Sequence, residues 1–226
     1  MEIVHKPRSY GEHSEHWLDF EQSPRRVRVQ FGGATLADTK RAMLLREASR
    51  VPVYYFPMED VRMELLAPND HHTHCPVKGH ASYWDISAGS KTEKSGAWSY
   101  LDPKTESRDI TGYLSFYWNR MDAWFEEEEQ IFVHARDPYK RVDVLNSSRH
   151  VLVTLGGEVV ADSSHPRLVL ETGHLIRYYV PREDVRMDLL NPSETETRCP
   201  YKGTARYWSA NVGDKYFEDT VWSYED

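Results

Sequence analysis

Two short segments of the chain each place a cysteine three residues before a lysine. They contain Cys75 with Lys78 and Cys199 with Lys202. A nearby ammonium group lowers the pKa of a thiol and makes it a better nucleophile, and a partly desolvated lysine can lose its proton and attack carbonyl groups. The alternative is structural, with Cys199 as a small core residue and Lys202 in solvent. The segments therefore predict candidate nucleophiles, with Cys199 and Lys202 the preferred pair.

A glutamate ends an apolar run in each half of the chain, Glu47 after Met43-Leu44-Leu45 and Glu171 after Leu168-Val169-Leu170. A carboxylate that leaves such a strand tends to point into an enclosed space, where burial raises its pKa toward general acid/base use. The alternative is a salt bridge from Glu171 to Arg177 or Lys202. We predict a catalytic group in Glu171, with Lys202 as an electrostatic or imine-forming partner.

Cationic, imidazole and aromatic side chains in the second half form the predicted substrate-binding set, which comprises Arg177, Tyr179, His134, Arg136, Arg141, His150 and Trp222. Forked hydrogen bonds from arginines suit a carboxylate or phosphate, although arginines beside Asp137 and Asp143 can instead be ion-paired at the surface. The first half lacks several of these groups. Its counterparts of the candidate site are Glu47, Lys78, Cys75 and Tyr55, and we expect the second half to hold the functional pocket.

These candidates belong to an internal repeat, because residues 27–100 recur as residues 151–224 without insertion or deletion. Each copy alternates apolar and polar residues, breaks at Gly-Gly and alternates again, which is typical of a hairpin with a primed turn. Further short apolar runs separated by turn residues favour a small, curved antiparallel sheet or open barrel. We predict a mainly β protein of two homologous small antiparallel units in a pseudo-twofold arrangement.

A single long helix is predicted to link the repeats over residues 109–125. The spacing of three and four is carried by Ile110, Tyr113, Leu114, Tyr117, Trp118, Met121 and Phe125, with Asp109 as the N-cap. The expected domains are residues 1–104, a first repeat with an N-terminal extension, and residues 105–226, the helix with the second repeat.

Composition limits the possible partners. The formal net charge of -8 opposes phosphate binding, so nucleic acid is not expected. No apolar stretch approaches the roughly 18 residues of a membrane span, and the N-terminus lacks the apolar region of a signal peptide. We expect no membrane association, a cytoplasmic location with free thiols, and a monomer or homodimer.

Several motifs in residues 131–208 resemble those of a bacterial and fungal family, the domain of unknown function family 427, which often occurs as a tandem pair. The matching segments are Asp137-Pro138-Tyr139, Arg141-Val142-Asp143, Ser148-Arg149-His150-Val151, Glu171-Thr172-Gly173, Arg177-Tyr178-Tyr179 and Thr197-Arg198-Cys199-Pro200-Tyr201-Lys202-Gly203. Together with the first repeat, the resemblance covers nearly all of the chain beyond its first twenty residues. It implies a compact, mainly β unit similar to the Mss4-like or β-tent architecture, and it implies no activity.

No metal or other cofactor is expected. A structural zinc of that architecture takes four ligands from two Cys-x-x-Cys pairs, whereas each repeat here has one cysteine. The His71-His72-Thr73-His74-Cys75 segment has the composition of a metal cluster, but adjacent residues of an extended chain point in opposite directions.

The sequence thus favours a cofactor-independent enzyme that acts on a small organic molecule by acid/base or carbonyl chemistry in the second repeat, as a lyase, isomerase or hydrolase. The alternative is a non-catalytic module in which the same pocket binds a small molecule or a protein segment. Salt-bridged, solvent-facing candidate residues would favour the alternative.

Overall fold

The computed structural model describes residues 17–105 and 107–225, which fall into two compact units. The first unit ends at Asp137, and the second begins at Pro138. The described part is mainly β in both units, as the sequence predicts, and all of its strand pairings are antiparallel.

The strands of the first unit follow one another in the order β1 (Leu18–Gln22), β2 (Val27–Phe31), β3 (Ala34–Thr39), β4 (Met43–Glu47), β5 (Val53–Pro57), β6 (Leu66–Cys75), β7 (Gly79–Ala88), β8 (Lys91–Ser99), β9 (Tyr113–Phe116), β10 (Ala123–Glu126) and β11 (Glu129–Ile131). Short 3₁₀ helices lie at Met58–Asp60, Met63–Leu65 and Trp118–Arg120. A seven-stranded sheet has the order β1-β4-β5-β9-β8-β7-β6, and a four-stranded sheet has the order β11-β10-β2-β3.

The strands of the second unit are β12 (Val142–Asn146), β13 (Val151–Leu155), β14 (Glu158–Ser163), β15 (Arg167–Glu171), β16 (Arg177–Tyr179), β17 (Leu190–Cys199), β18 (Gly203–Val212) and β19 (Lys215–Tyr224). Its 3₁₀ helices lie at Arg182–Asp184 and Met187–Leu189. These strands form three separate sheets, β12-β15-β16, β13-β14 and β17-β18-β19. No described sheet in either unit closes into a barrel.

The internal repeat of the sequence is a repeat of structure. Each strand of the second unit lies 124 positions after a strand of the first, as Val27 and Val151 begin β2 and β13. Both Gly-Gly turns have the predicted primed geometry, with positive φ at each glycine. Even the bulge in the hairpin recurs, between Val29 and Gln30 in one copy and Val153 and Thr154 in the other.

The predicted helix over residues 109–125 is wrong. That segment forms β9, a single 3₁₀ turn and β10. Leu114 and Phe116 point into one core and Tyr113 packs against another, so apolar residues on both faces of a strand produced the helix-like spacing. Tertiary pairing decides the conformation here, because β9 joins β5 to β8 and gains ladder hydrogen bonds on both edges.

Residues 107–131 therefore complete the first unit. β9 connects two groups of three strands into one sheet, and β10 pairs with β2. Among the residues described in the second unit, none forms a counterpart of β9, β10 or β11. The helices of both units are single 3₁₀ turns, and none in the described ranges is long and apolar enough to cross a membrane.

Candidate functional site

The predicted pair of Glu171 and Lys202 comes together in the second unit. Glu171 is the last residue of β15, and Lys202 lies in the turn between β17 and β18. The Lys202 Nζ donates to Glu171 Oε2 over 2.5 Å. The Glu171 side chain is 8% exposed and that of Lys202 is 22% exposed, so the ion pair lies at the edge of the interior.

Two further groups surround the Glu171 carboxylate. Lys140 Nζ lies 2.8 Å from Glu171 Oε1, and His174 Nε2 lies 3.5 Å from the same oxygen. Neither Lys140 nor His174 was among the predicted site residues. The sequence signal for His174 was Gly173. This glycine has a φ of +76° and allows a tight turn in which the His174 N–H donates to the Glu171 carbonyl. Lys140 joins through the long-range pairing of β12 with β15, which has no local signal.

The electrostatics of the pair keep both groups charged. Burial acts to raise the pKa of Glu171, but the hydrogen bonds from Lys140 and Lys202 outweigh it and lower that pKa below its usual value. Burial likewise acts to lower the pKa of Lys202, and the hydrogen bond to Glu171 outweighs it and raises the pKa. The cluster is therefore a carboxylate held among cationic groups.

Cys199 and three aromatic residues lie around this pair. Cys199 is a free thiol at the end of β17, and it interacts electrostatically with Lys202 and Tyr224. Burial raises the pKa of Tyr224. Trp222 Nε1 donates to the Tyr179 hydroxyl over 3.1 Å, which joins β19 to β16.

The first unit repeats this arrangement in a more buried form. Lys78 Nζ donates to Glu47 Oε2 over 2.5 Å, and the backbone N–H of Lys78 donates to the Cys75 sulfur over 3.4 Å. Both charged side chains are 8% exposed. Tyr55 accepts a hydrogen bond from Trp98, as Tyr179 does from Trp222. All four predicted counterparts, Glu47, Lys78, Cys75 and Tyr55, thus lie in one cluster.

The two clusters differ in what covers them. In the first unit, Phe20, Ile110 and Tyr113 pack in the same apolar cluster as Tyr55 and Tyr100. In the second unit the corresponding space is an open cleft of about 920 Å³. Its lining includes Val144, Val169, Tyr179, Tyr201, Lys202 and Tyr224. The second copy of the cluster is therefore accessible where the first is sealed.

The other predicted residues lie elsewhere. Arg177 is exposed on β16, and within the described ranges it makes no ion pair with Glu171. Arg141 pairs with Asp143 at the surface, with Nε 2.8 Å from Oδ1, and its exposed side chain fits the structural alternative.

His150, His134 and Arg136 likewise make local contacts. His150 Nε2 lies 2.6 Å from Asp162 Oδ1. His134 and Arg136 are part of the first unit, where the His134 ring contacts the Ala135 carbonyl and the Arg136 backbone N–H donates to Glu126.

The histidine-rich segment packs against neighbouring rings. The ring centroid of His71 lies 4.5 Å from that of Tyr83, and the His74 centroid lies 4.7 Å from that of His80. Within residues 17–105 and 107–225, no group of three or more His, Cys, Asp or Glu side chains converges as metal ligands would.

Comparison with known proteins agrees with the tandem architecture. No curated protein is detectably similar to the chain in sequence. The model of a domain of unknown function, DUF427, matches residues 19–127 and again residues 143–226, so one match begins in β1 and the other in its counterpart β12. The chain is therefore a member of the DUF427 family, as its motifs predicted, and the two matched segments are consistent with a tandem form.

Proposed function

We propose that the second unit is a non-catalytic binding module that takes up an extended polypeptide segment in the place that residues 110–126 occupy in the first unit. One observation carries the proposal: surfaces that β9 and β10 cover in the first unit are exposed in the second. Tyr54 is 1% exposed and its counterpart Tyr178 is 43% exposed; Val29 is fully buried and its counterpart Val153 is 40% exposed.

The strand edges support the same occupant. β9 pairs with β5 on one side and with β8 on the other. Among the described strands, the corresponding β16 and β19 each end their sheet, and β13 pairs with β14 alone. An open edge presents backbone N–H and C=O groups that an added strand can pair with.

An apolar groove follows these edges. It has a volume of about 450 Å³ and is lined by Val180, Met187, Leu190, Trp208 and Trp222, among others. In the first unit the counterparts of Val180, Met187, Leu190 and Trp208 belong to the same core cluster as Leu114 and Phe116, which are almost fully buried. A strand with alternating apolar side chains would fill the groove in the same way.

A second candidate is the cofactor-independent enzyme, with Glu171 as acid/base and Lys202 or Cys199 as nucleophile. The observation that favours it is the convergence of these groups beside an open cleft. Efficient general acid/base catalysis needs a pKa near the working pH, and imine formation needs a neutral amine. The pKa of Glu171 is lowered and that of Lys202 is raised, which are the directions that catalysis does not need, so the enzyme has less support than the binding module.

The test uses a synthetic peptide with the sequence of residues 107–131 and the full chain. We expect saturable binding by calorimetry and slower amide hydrogen exchange in β16 and β19. The control peptide carries Leu114→Asp and Phe116→Asp, which place charge on the apolar face, and it should not bind.

Two results would overturn the proposal. One is no saturable binding of the parent peptide, or protection confined to the first unit. The other is a dimer of the chain that protects β16 and β19 and that the peptide does not dissociate, which would identify a second copy of this chain as the occupant.

A further inference from the structure

A buried carboxylate fixes the end of β10 in the first unit. Glu126 is 4% exposed and lies opposite Val27 in the pairing of β10 with β2. The Tyr54 hydroxyl donates to Glu126 Oε1 over 2.9 Å, and Arg25 Nη1 lies 3.3 Å from Oε2. Burial and the negative charge of Glu126 raise the pKa of Tyr54, so the hydroxyl keeps its proton as the donor.

The first-unit residues that contact this carboxylate are Tyr54, Arg25 and Arg136. The second unit retains counterparts of the first two. Arg149 and Tyr178 are the counterparts of Arg25 and Tyr54, and Arg149 Nη1 donates to the Tyr178 hydroxyl over 2.9 Å. Both residues are exposed. In the part of the chain that the structure describes, no carboxylate pairs with Arg149. The arginine and the hydroxyl thus stand together at the edge of β13 as they do around Glu126.

We propose that the polypeptide segment bound by the second unit carries a carboxylate at the position equivalent to Glu126, and that Arg149 and Tyr178 bind it. This inference rests on the proposed function and adds the chemistry of the partner. The carboxylate would lie opposite Val151, because Glu126 lies opposite Val27. Once docked it would be largely removed from water, where a carboxylate needs charge-assisted hydrogen bonds.

The neighbouring positions restrict the requirement to one acidic residue. In the first unit, Arg26 and Arg28 hold Glu128 at the surface, with N–O distances of 3.1 Å. Their counterparts are His150 and Leu152, and His150 contacts Asp162. The second unit therefore keeps the receptor for the buried carboxylate and not the one for the exposed acidic turn. The partner segment needs a single acid at a defined register, not an acidic run.

The apolar part of the segment follows from the groove. A residue pair two positions apart, as Leu114 and Phe116 are, faces the same side of a strand and would point toward Val180 and Trp208. The predicted partner is thus an extended segment with an alternating apolar stripe, followed by a turn and a strand that ends in one carboxylate. A small organic anion could contact Arg149 but would leave the groove and the strand edges open.

The experiment compares peptides that differ in one carboxylate. The parent peptide of residues 107–131 and its E126Q and E129Q variants are titrated into the full chain. Hydrogen bonds to a charged group contribute enough that E126Q should weaken binding roughly tenfold or more, whereas E129Q changes an exposed residue and should bind like the parent.

Matched variants of the chain locate the effect. Arg149→Met should weaken binding of the parent peptide by a similar factor, and it should abolish the difference between the parent and E126Q peptides. Tyr178→Phe removes only the hydroxyl and should act in the same direction. Because both residues are exposed, we expect the thermal unfolding midpoint to stay close to that of the parent chain.

The outcomes separate the two proposals. Equal affinities of the parent and E126Q peptides, or a loss with E126Q that persists unchanged in Arg149→Met, would overturn the carboxylate requirement while leaving strand binding intact. Failure of the parent peptide to bind would overturn the proposed function and this inference together.

Discussion

The Glu171 carboxylate receives contacts from three groups that can carry positive charge, and these contacts keep it ionised. Lys140 and Lys202 approach different oxygens, and His174 lies beside Lys140. Glu47 in the first unit faces the buried ammonium of Lys78 in the same way. The glutamate-lysine pair recurs in the first unit, where apolar side chains seal its cluster. Its primary role is therefore to join the end of β4 or β15 to the turn that contains Lys78 or Lys202.

A pH prediction follows from this ion pair. The lowered pKa of Glu171 means that its contribution to stability is fully present above the usual carboxyl pKa of about 4.3 and is lost as the pH falls through the lower folded value. We expect the unfolding free energy of the second unit to decrease as the pH falls below about 4.3, and Glu171→Gln to reduce that decrease. Urea unfolding, monitored by hydrogen exchange in peptides of the second unit, measures the acid-induced decrease in the parent chain and in Glu171→Gln.

The control is Glu183→Gln, because Glu183 is an exposed carboxylate on a 3₁₀ helix of the same unit. It should leave the acid-induced loss unchanged. Asp188 and Asp219 also have lowered pKa values, so some loss persists in Glu171→Gln. An identical acid profile in Glu171→Gln and the parent chain would contradict the role assigned to this pair.

At the scale of elements, the glycine turns of the two hairpins carry different constraints. A Cβ on Gly32 would lie 2.1 Å from the carbonyl oxygen of Ala88, whereas a Cβ on Gly33 would meet nothing within 4 Å. Both glycines have positive φ, at which alanine costs roughly 1–2 kcal/mol. We expect Gly32→Ala to destabilise the first unit by clearly more than Gly33→Ala, which supplies the matched control. Urea midpoints of the two variants measure the difference.

The second repeat provides an independent comparison. A Cβ on Gly156 would contact the ring of Phe217 at 3.3 Å, and a ring at the end of a side chain can shift where a backbone carbonyl cannot. The loss in Gly156→Ala should therefore be smaller than in Gly32→Ala. Equal losses at Gly32 and Gly33 would show that the close approach to Ala88 is relieved at no cost.

Local patterns predicted those elements whose conformation is decided locally. The Gly-Gly dipeptides predicted both hairpins, and period-two alternation predicted β2 and β13. Local spacing predicted the wrong structure for residues 109–125, because their apolar residues pack into two cores from opposite faces of a strand. Asp109 was predicted as an N-cap, but no helix follows it; its carboxylate accepts from the Thr111 N–H in a turn instead.

The candidate site was predictable to the extent that the repeat encodes it. Glu171 and Lys202 were correctly expected near one another, since a salt bridge between them was one of the alternatives. Lys140 was not predictable, because only the register of β12 against β15 brings it to Glu171. Arg149 was part of a recognised motif, yet its significance depends on Glu126, a residue in a segment that has no counterpart among the described residues of the second unit.

At the scale of the whole molecule, two copies of one domain differ in how completely each is covered. The first unit has extensive buried clusters around Phe56 and Tyr55, whereas among the described residues of the second unit a cluster forms around Val160, Ala210 and Val212. Burial of apolar surface is the main source of folding free energy. A difference in stability between the units follows from β9 to β11 in the first unit, for which the described part of the second unit has no counterpart.

We therefore expect the second unit to unfold at a lower urea concentration than the first. Hydrogen exchange measured at increasing urea, resolved by peptide, should show peptides of β16 and β19 losing protection before those of β5 and β8. Leu168→Ala should lower only the unfolding midpoint of the second unit, and Ile86→Ala only that of the first unit. Truncating a buried leucine or isoleucine costs about 2–5 kcal/mol in its own core. Binding of the 107–131 peptide should raise only the urea midpoint of the second unit, since a ligand stabilises the folded state to which it binds. The contrary result is that both units lose protection at the same urea concentration and that either substitution shifts this concentration equally. The two domains would then fold as one cooperative unit, and the open face of the second would not lower its stability.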